Sequence, residues 1–155
     1  MSTQRGIDPR GPRFGASITA ILLLVVIALG VADLALPATV LFAVLVGLFA
    51  IGAFAGIQRH PYGAIYRALV RPRLKPPTEL EDPAPPTFAQ GVGLLITGVG
   101  LVLHLLGIPG ALVIAASLAF VAAFLNAVFA YCLGCQIYLL LVRARIIRPK
   151  GAAAA

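Results

Sequence analysis

Charge is what this sequence has least of. Only 11% of its 155 residues are charged, against about 25% in an ordinary soluble domain. Acidic residues number five, Trp is absent, Met occurs once, and Cys and His occur twice each. A soluble fold of this size needs a polar surface, and 12 basic and 5 acidic side chains cannot cover it. That scarcity excludes a soluble globular protein, a disordered chain and a conventional nucleic-acid binder, so no nucleic acid is expected as a partner. Catalytic signatures are missing too. There is no H-E-x-x-H, no nucleophile elbow and no Walker loop. No C-x-x-C-H for a c-type haem occurs, because Gln136 follows Cys135. One intramembrane histidine is too few for bis-His haem ligation. No cofactor is expected.

What is present is apolar. Hydrophobic residues make up 61% of the chain, and mean hydropathy is +1.02. Four apolar segments stand out, at 16–36, 38–57, 88–106 and 111–131. A spanning helix needs about 20 residues, at about 1.5 Å each, to cross a hydrocarbon core of about 30 Å. Barrel strands would be about 10 residues long and alternating. The expected fold is an all-α membrane protein of one domain, its four transmembrane helices forming two antiparallel hairpins. The lipid bilayer is then its first partner.

Orientation follows from the cations. All 12 basic residues fall before the first span, in the loop 58–87, or after the fourth span. The positive-inside rule places both termini and that loop in the cytoplasm. Small residues at helical spacing suit close packing in lipid: Gly52 with Gly56, Gly91 with Gly98, Gly93 with Gly100, and Ala119, Ala123 and Ala127. Residues 60–71 suit a short interfacial helix with Tyr62 and Tyr66 in the headgroup region. Residues 72–86 hold six prolines and read as extended. Their acidic residues, Glu79, Glu81 and Asp82, could pair with Arg10 and Arg13 of the N-terminal arm.

The strongest chemical signal is Cys132-Leu133-Gly134-Cys135, which holds both cysteines. Two thiols with this spacing can close and reopen a disulfide ring, which suits thiol–disulfide exchange. The same spacing is half a zinc site, and it also fits two small side chains packed in a helix. All three readings stand on sequence alone. In the exchange reading, Cys132 is the nucleophile and Cys135 the resolving thiol. The apolar run 109–142 is too long for one upright span, so either the helix projects into the cytoplasm or the chain breaks, with the break expected at Gly134. A new helix at 136–145 would then follow, whose dipole favours a thiolate. Arg143 and Arg145 could add charge if they fold back. Tyr131 and Tyr138 would flank the pair at the membrane interface.

Other polar residues give weaker signals. Asp33 and His104 fall at similar depth near the outer interface and could pair, or each could be solvated. Asn126 suits a hydrogen bond to a neighbouring helix. His60 is placed to serve as a proton partner of a thiolate.

Three runs carry a resemblance: Ile7-Asp8-Pro9-Arg10-Gly11-Pro12-Arg13-Phe14, Pro77-Thr78-Glu79-Leu80-Glu81-Asp82-Pro83, and Asn126 through Cys135 ending in C-L-G-C. Together they resemble an uncharacterised, mainly actinobacterial membrane family, a domain of unknown function. The resemblance implies a four-helix protein of the bacterial inner membrane with a C-x-x-C on the cytoplasmic side. It also implies a partner of the thioredoxin-like or sulfurtransferase class. The rival expectation is a non-enzymatic structural or accessory subunit of a larger membrane complex.

Overall fold

A computed structural model describes residues 6–148. Four long helices, α1 (Arg10–Val31), α2 (Ala35–Phe54), α4 (Ala84–Leu105) and α5 (Ala111–Phe129), carry the fold. Two short ones, α3 (Pro61–Ile65) and α6 (Leu133–Arg143), sit at one end. No strand occurs among the described residues beyond one isolated bridge between Ile7 and Glu81. The long helices have 22, 20, 22 and 19 residues, or about 28–33 Å each. All four are long and apolar enough to cross a membrane, and in a helix every interior backbone group is satisfied internally. The protein is a multi-pass membrane protein.

Each long helix packs on its sequence neighbour, and α1 closes the ring by packing on α5. The core lies inside that ring, with Leu23 and Val26 of α1, Phe42 and Leu45 of α2, and Leu112 and Ala116 of α5. Large apolar residues such as Ile21, Leu95 and Ile114 are more than 60% exposed. Outside water such faces belong against lipid. The approach of α4 depends on small residues. Gly100 meets Ala115, and Gly93 meets the Phe49 ring. Gly52 meets the Gln90 side chain. Gly91 and Gly98 face open space instead, so only one of the two stripes on this helix is used for packing.

Both short turns lie at one end of the bundle, and their geometry assigns a role to Asp33. Its φ is 57°, the left-handed conformation that Asp tolerates better than most residues. Its N–H donates to Gly30 O (3.3 Å), and the Leu34 N–H donates to Leu29 O (3.0 Å). Those two bonds form the Schellman closure that satisfies the last carbonyls of a helix. Gly107, with φ 83°, ends α4 in the same way.

At the opposite end are the N-terminal arm, the segment between α2 and α4, and α6. Three helices start earlier than hydropathy alone suggests, α1 at Arg10, α2 at Ala35 and α4 at Ala84. Pro37 lies in the first turn of α2, and Pro85 and Pro86 in the first turn of α4. A first turn has no intrahelical partner for its N–H groups, so proline costs nothing there. The interfacial role expected for Tyr62 and Tyr66 is corrected. Tyr66 is 3% exposed, against Phe14 at a ring distance of 5.8 Å. Tyr62 lies against Gly15 and His60. Both rings are turned into the protein.

The expected ion pairs between the loop acids and the arm are also corrected. Arg10 pairs with Asp8 of its own arm at 2.8 Å, and that hydrogen bond holds the Asp8 carboxyl below its usual range. Asp8 also accepts the Tyr66 hydroxyl at 3.0 Å. The arm and loop are joined by backbone: Ile7 and Glu81 exchange two N–H···O bonds of 2.9 Å.

Candidate functional site

The chain between α5 and α6 turns without a glycine. α5 ends at Phe129, and Ala130 takes the left-handed conformation with φ 55° and ψ 25°. The Tyr131 N–H closes back on Leu125 O at 3.2 Å. Cys132 is then extended, with φ −87° and ψ 102°, and caps α6. Its Sγ accepts the Cys135 N–H at 3.3 Å. The expected break at Gly134 is therefore corrected to Ala130–Cys132, and α6 begins at Leu133 rather than Gln136. A side-chain acceptor at a helix start satisfies one of its free N–H groups; the four long helices start without one, and at α6 the Cys132 thiol supplies it.

Gly134 has another task. It is buried in the first turn of α6, where an added Cβ would lie 2.5 Å from Ala89 Cβ and 2.6 Å from Ala89 Cα. Only glycine allows that approach to α4. One turn further, Tyr138 is 8% exposed and packs on Phe88 at a ring distance of 5.6 Å. Tyr138 is thus a docking residue, while Tyr131 remains 47% exposed. These two contacts fix α6, and with it both cysteines, on the first turns of α4.

Both cysteines are free and half-buried. The Cys135 thiol and the N–H groups of Cys135 and Gly134 hold the Cys132 thiol down at about 7, against the opposing effects of burial and the Glu81 carboxylate. The same thiol–thiol hydrogen bond, with burial and the neighbouring Cys132 sulfur, pushes the Cys135 thiol far up. Arg143 stands at the other end of the 11-residue α6, about 15 Å along its axis. Stabilisation of a Cys132 thiolate therefore comes from donors in the first turn of α6 and not from a cation folding back. The pair is asymmetric: one thiol ionises near neutral pH and the other stays protonated beside it.

A family model for a domain of unknown function, DUF4395, matches residues 7–143. The chain belongs to the DUF4395 family. No curated protein and no solved structure matches it.

The remaining candidates take other roles in this DUF4395 protein. His60 is 3% exposed. Its Nε2 lies 3.1 Å from Leu48 O, and its Nδ1 accepts the Tyr62 N–H at 3.2 Å. With Nδ1 accepting, Nε2 carries the proton and donates. Both nitrogens are occupied in capping α3 and tying it to α2, which corrects the expectation of a proton partner for a thiolate. Asp33 and His104 are not paired: His104 Nε2 bonds to Thr39 Oγ1 at 2.8 Å. Among the described residues Asn126 makes no side-chain hydrogen bond, although one to a neighbouring helix was expected. Nor do three or more His, Cys, Asp or Glu side chains converge, so the half zinc site has no second half there.

The docking of α6 went unread in the sequence. Ala89 is one alanine among many, and only the fold brings it against Gly134. Asp8 and Tyr66 lie 58 residues apart, and no local pattern signals that bond.

The His60 geometry has a consequence for stability. Burial lowers the His60 pKa from its ordinary 6.5. The unfolded chain therefore binds a proton below about pH 6.5 that the folded protein refuses, and stability falls as pH drops through that value. A His60→Gln variant, whose amide cannot titrate, should show a shallower fall in thermal midpoint between about pH 7.5 and 5.5. Parallel midpoint curves for wild type and variant would show that His60 does not govern this loss.

Proposed function

We propose that this DUF4395 protein is a bacterial inner-membrane protein whose Cys132 and Cys135 carry out thiol–disulfide exchange at the cytoplasmic face. The observation that carries the reading is Cys132 Sγ at the start of α6, receiving the Cys135 N–H at 3.3 Å. Thiolates gain reactivity at helix N-termini and in C-x-x-C pairs. The cytoplasmic assignment rests on charge. The cysteine end of the bundle carries Arg13, Arg59, Arg67, Arg71, Arg73 and Lys75, while the opposite turns carry no cation.

The chemistry balances within the pair and one partner disulfide. The Cys132 thiolate attacks a partner sulfur, forming a mixed disulfide and releasing the partner's other sulfur as a thiolate. Cys135 gives up its proton to solvent and attacks Cys132 Sγ. The mixed bond breaks, the partner leaves as a dithiol, and Cys132–Cys135 becomes a disulfide. Two electrons have passed to the partner. Run in reverse, a reduced thioredoxin-like protein restores the dithiol. A thioredoxin-like protein fits as partner because it carries such a disulfide; a sulfurtransferase would instead pass its persulfide sulfur to Cys132 and leave as a thiolate, and attack by Cys135 would then release that sulfur as hydrosulfide.

The pH dependence of alkylation tests the reading. Iodoacetamide should modify Cys132 at a rate half-maximal near pH 7. At pH 7 about half of that thiol is ionised, against about 3% for an ordinary thiol of pKa about 8.5. Because a less basic thiolate is also about four- to sixfold less nucleophilic, the expected excess over an ordinary thiol is about three- to fourfold at equal accessibility. Cys135 should resist until the protein unfolds. A Cys132 rate that climbs without a plateau through pH 9 would remove the exchange reading and favour a packed accessory subunit.

A further inference from the structure

The segment joining α2 to α4 holds a feature that the cysteine chemistry does not use. After α3 the chain continues through a wide helical turn, Tyr66–Val70, and a tight one, Arg71–Arg73. Its outer side forms an open groove of about 400 Å³ lined by Arg67, Arg71 and Lys75, with Pro72, Leu74 and two further prolines as walls. Among the described residues the one ion pair is Arg10–Asp8, so none of the three groove cations has a carboxylate partner there. Arg73 does not line the groove; its guanidinium turns back on Leu69 O at 2.8 Å.

This groove is held in shape from beneath. Tyr66 is buried and bonds to Asp8. The Arg10 guanidinium donates to the Lys75 carbonyl at 3.0 Å, and Arg67 Nη1 donates to Gln58 O at 3.2 Å. Among the groove-lining residues Leu74 is 41% exposed, and Pro72, Pro76 and Pro77 add to its apolar wall. The segment therefore presents positive charge and apolar surface together, at the level where α2 leaves the apolar layer and α4 enters it. Guanidinium groups match phosphate oxygens in fork geometry. The exposed apolar side chains match the acyl region just beneath a headgroup.

We propose that Arg67, Arg71 and Lys75 form a binding site for the phosphodiester headgroup of an anionic phospholipid. A soluble phosphate would satisfy the cations but leave the apolar wall of Leu74, Pro72, Pro76 and Pro77 uncovered. A membrane lipid covers both, and a bilayer supplies it at high local concentration. Near a membrane surface each Lys or Arg adds enough attraction to change affinity about fivefold.

The test is native mass spectrometry of the full-length protein in detergent, titrated with phosphatidylglycerol, phosphatidylcholine or inorganic phosphate. Phosphatidylglycerol should bind at least about tenfold more tightly than phosphatidylcholine. A variant with Arg67→Gln, Arg71→Gln and Lys75→Gln should lose about a hundredfold in phosphatidylglycerol affinity. Arg143→Gln with Arg148→Gln, outside the groove, should stay within about twofold. If the triple variant does not retain its helicity, the three single substitutions carry the test, each expected to lose about fivefold. Retention of phosphatidylglycerol by the groove variants, or an equal loss in the control, overturns the site. Displacement of the lipid by millimolar inorganic phosphate overturns the lipid as its occupant.

Discussion

A Cys135→Ser variant should accumulate as a covalent heterodimer, released by dithiothreitol, when mixed with a thioredoxin-like protein whose second active-site cysteine is serine and whose first is carried as a mixed disulfide with 2-nitro-5-thiobenzoate. Cys132 keeps its place at the start of α6 and still receives the N–H of residue 135. A serine hydroxyl can also donate where the Cys135 thiol did. Attack on the partner's first active-site sulfur therefore proceeds with loss of the aryl thiolate, while neither protein keeps a second sulfur that would resolve the mixed disulfide. We expect at least about tenfold more heterodimer than with wild type, and none with Cys132→Ser. Trapping by Cys132→Ser in place of Cys135→Ser would reverse the two roles. No trapping by either variant, with a thioredoxin-like or a sulfurtransferase protein, would refute exchange with those partners.

Gly134→Leu should have the second large effect, on structure and reactivity together. A side chain at 134 meets Ala89 at both Cβ and Cα, at 2.5 and 2.6 Å. The backbone of α4 cannot yield by that much, so α6 must lift from it. Overpacking of this kind costs about 1–3 kcal/mol. Lifting also separates Tyr138 from Phe88 and disturbs the first-turn N–H groups that hold the Cys132 thiol near 7. The variant should melt lower, and its alkylation at pH 7 should slow towards the rate of an ordinary thiol. Leu133→Ala serves as the comparison, since Leu133 is exposed in the same turn and should leave both quantities nearly unchanged. A Gly134→Leu protein with wild-type reactivity would show that α6 docking does not set the thiol.

The apolar runs made the four long helices legible, because length and hydropathy follow directly from the thickness of a hydrocarbon layer. The helix ends were less legible. Hydropathy marked 88–106, yet α4 starts at Ala84, because proline is as compatible with a first helical turn as with a loop. At the α5–α6 break, glycine propensity pointed to Gly134. The turn fell instead on Ala130, which accepts a left-handed φ of 55° once α6 is docked. Contact with Ala89 outweighed local preference, as tertiary packing does when two helices must approach closely.

The site divides in the same way. The sequence by itself determined that the chain lies in a membrane, that its cations gather at one end, and that its two cysteines share one turn. Each of these depends on composition or spacing along the chain. Only the tertiary structure decided that Cys132 caps α6 while Cys135 stays protonated beneath it. It alone assigned His60 to a structural bond with Leu48 O and His104 to Thr39. Those outcomes depend on which donors and acceptors burial brings within about 3 Å of each other. Hydrogen-bond partners from different helices are set by how the bundle closes, and no spacing along one helix encodes them.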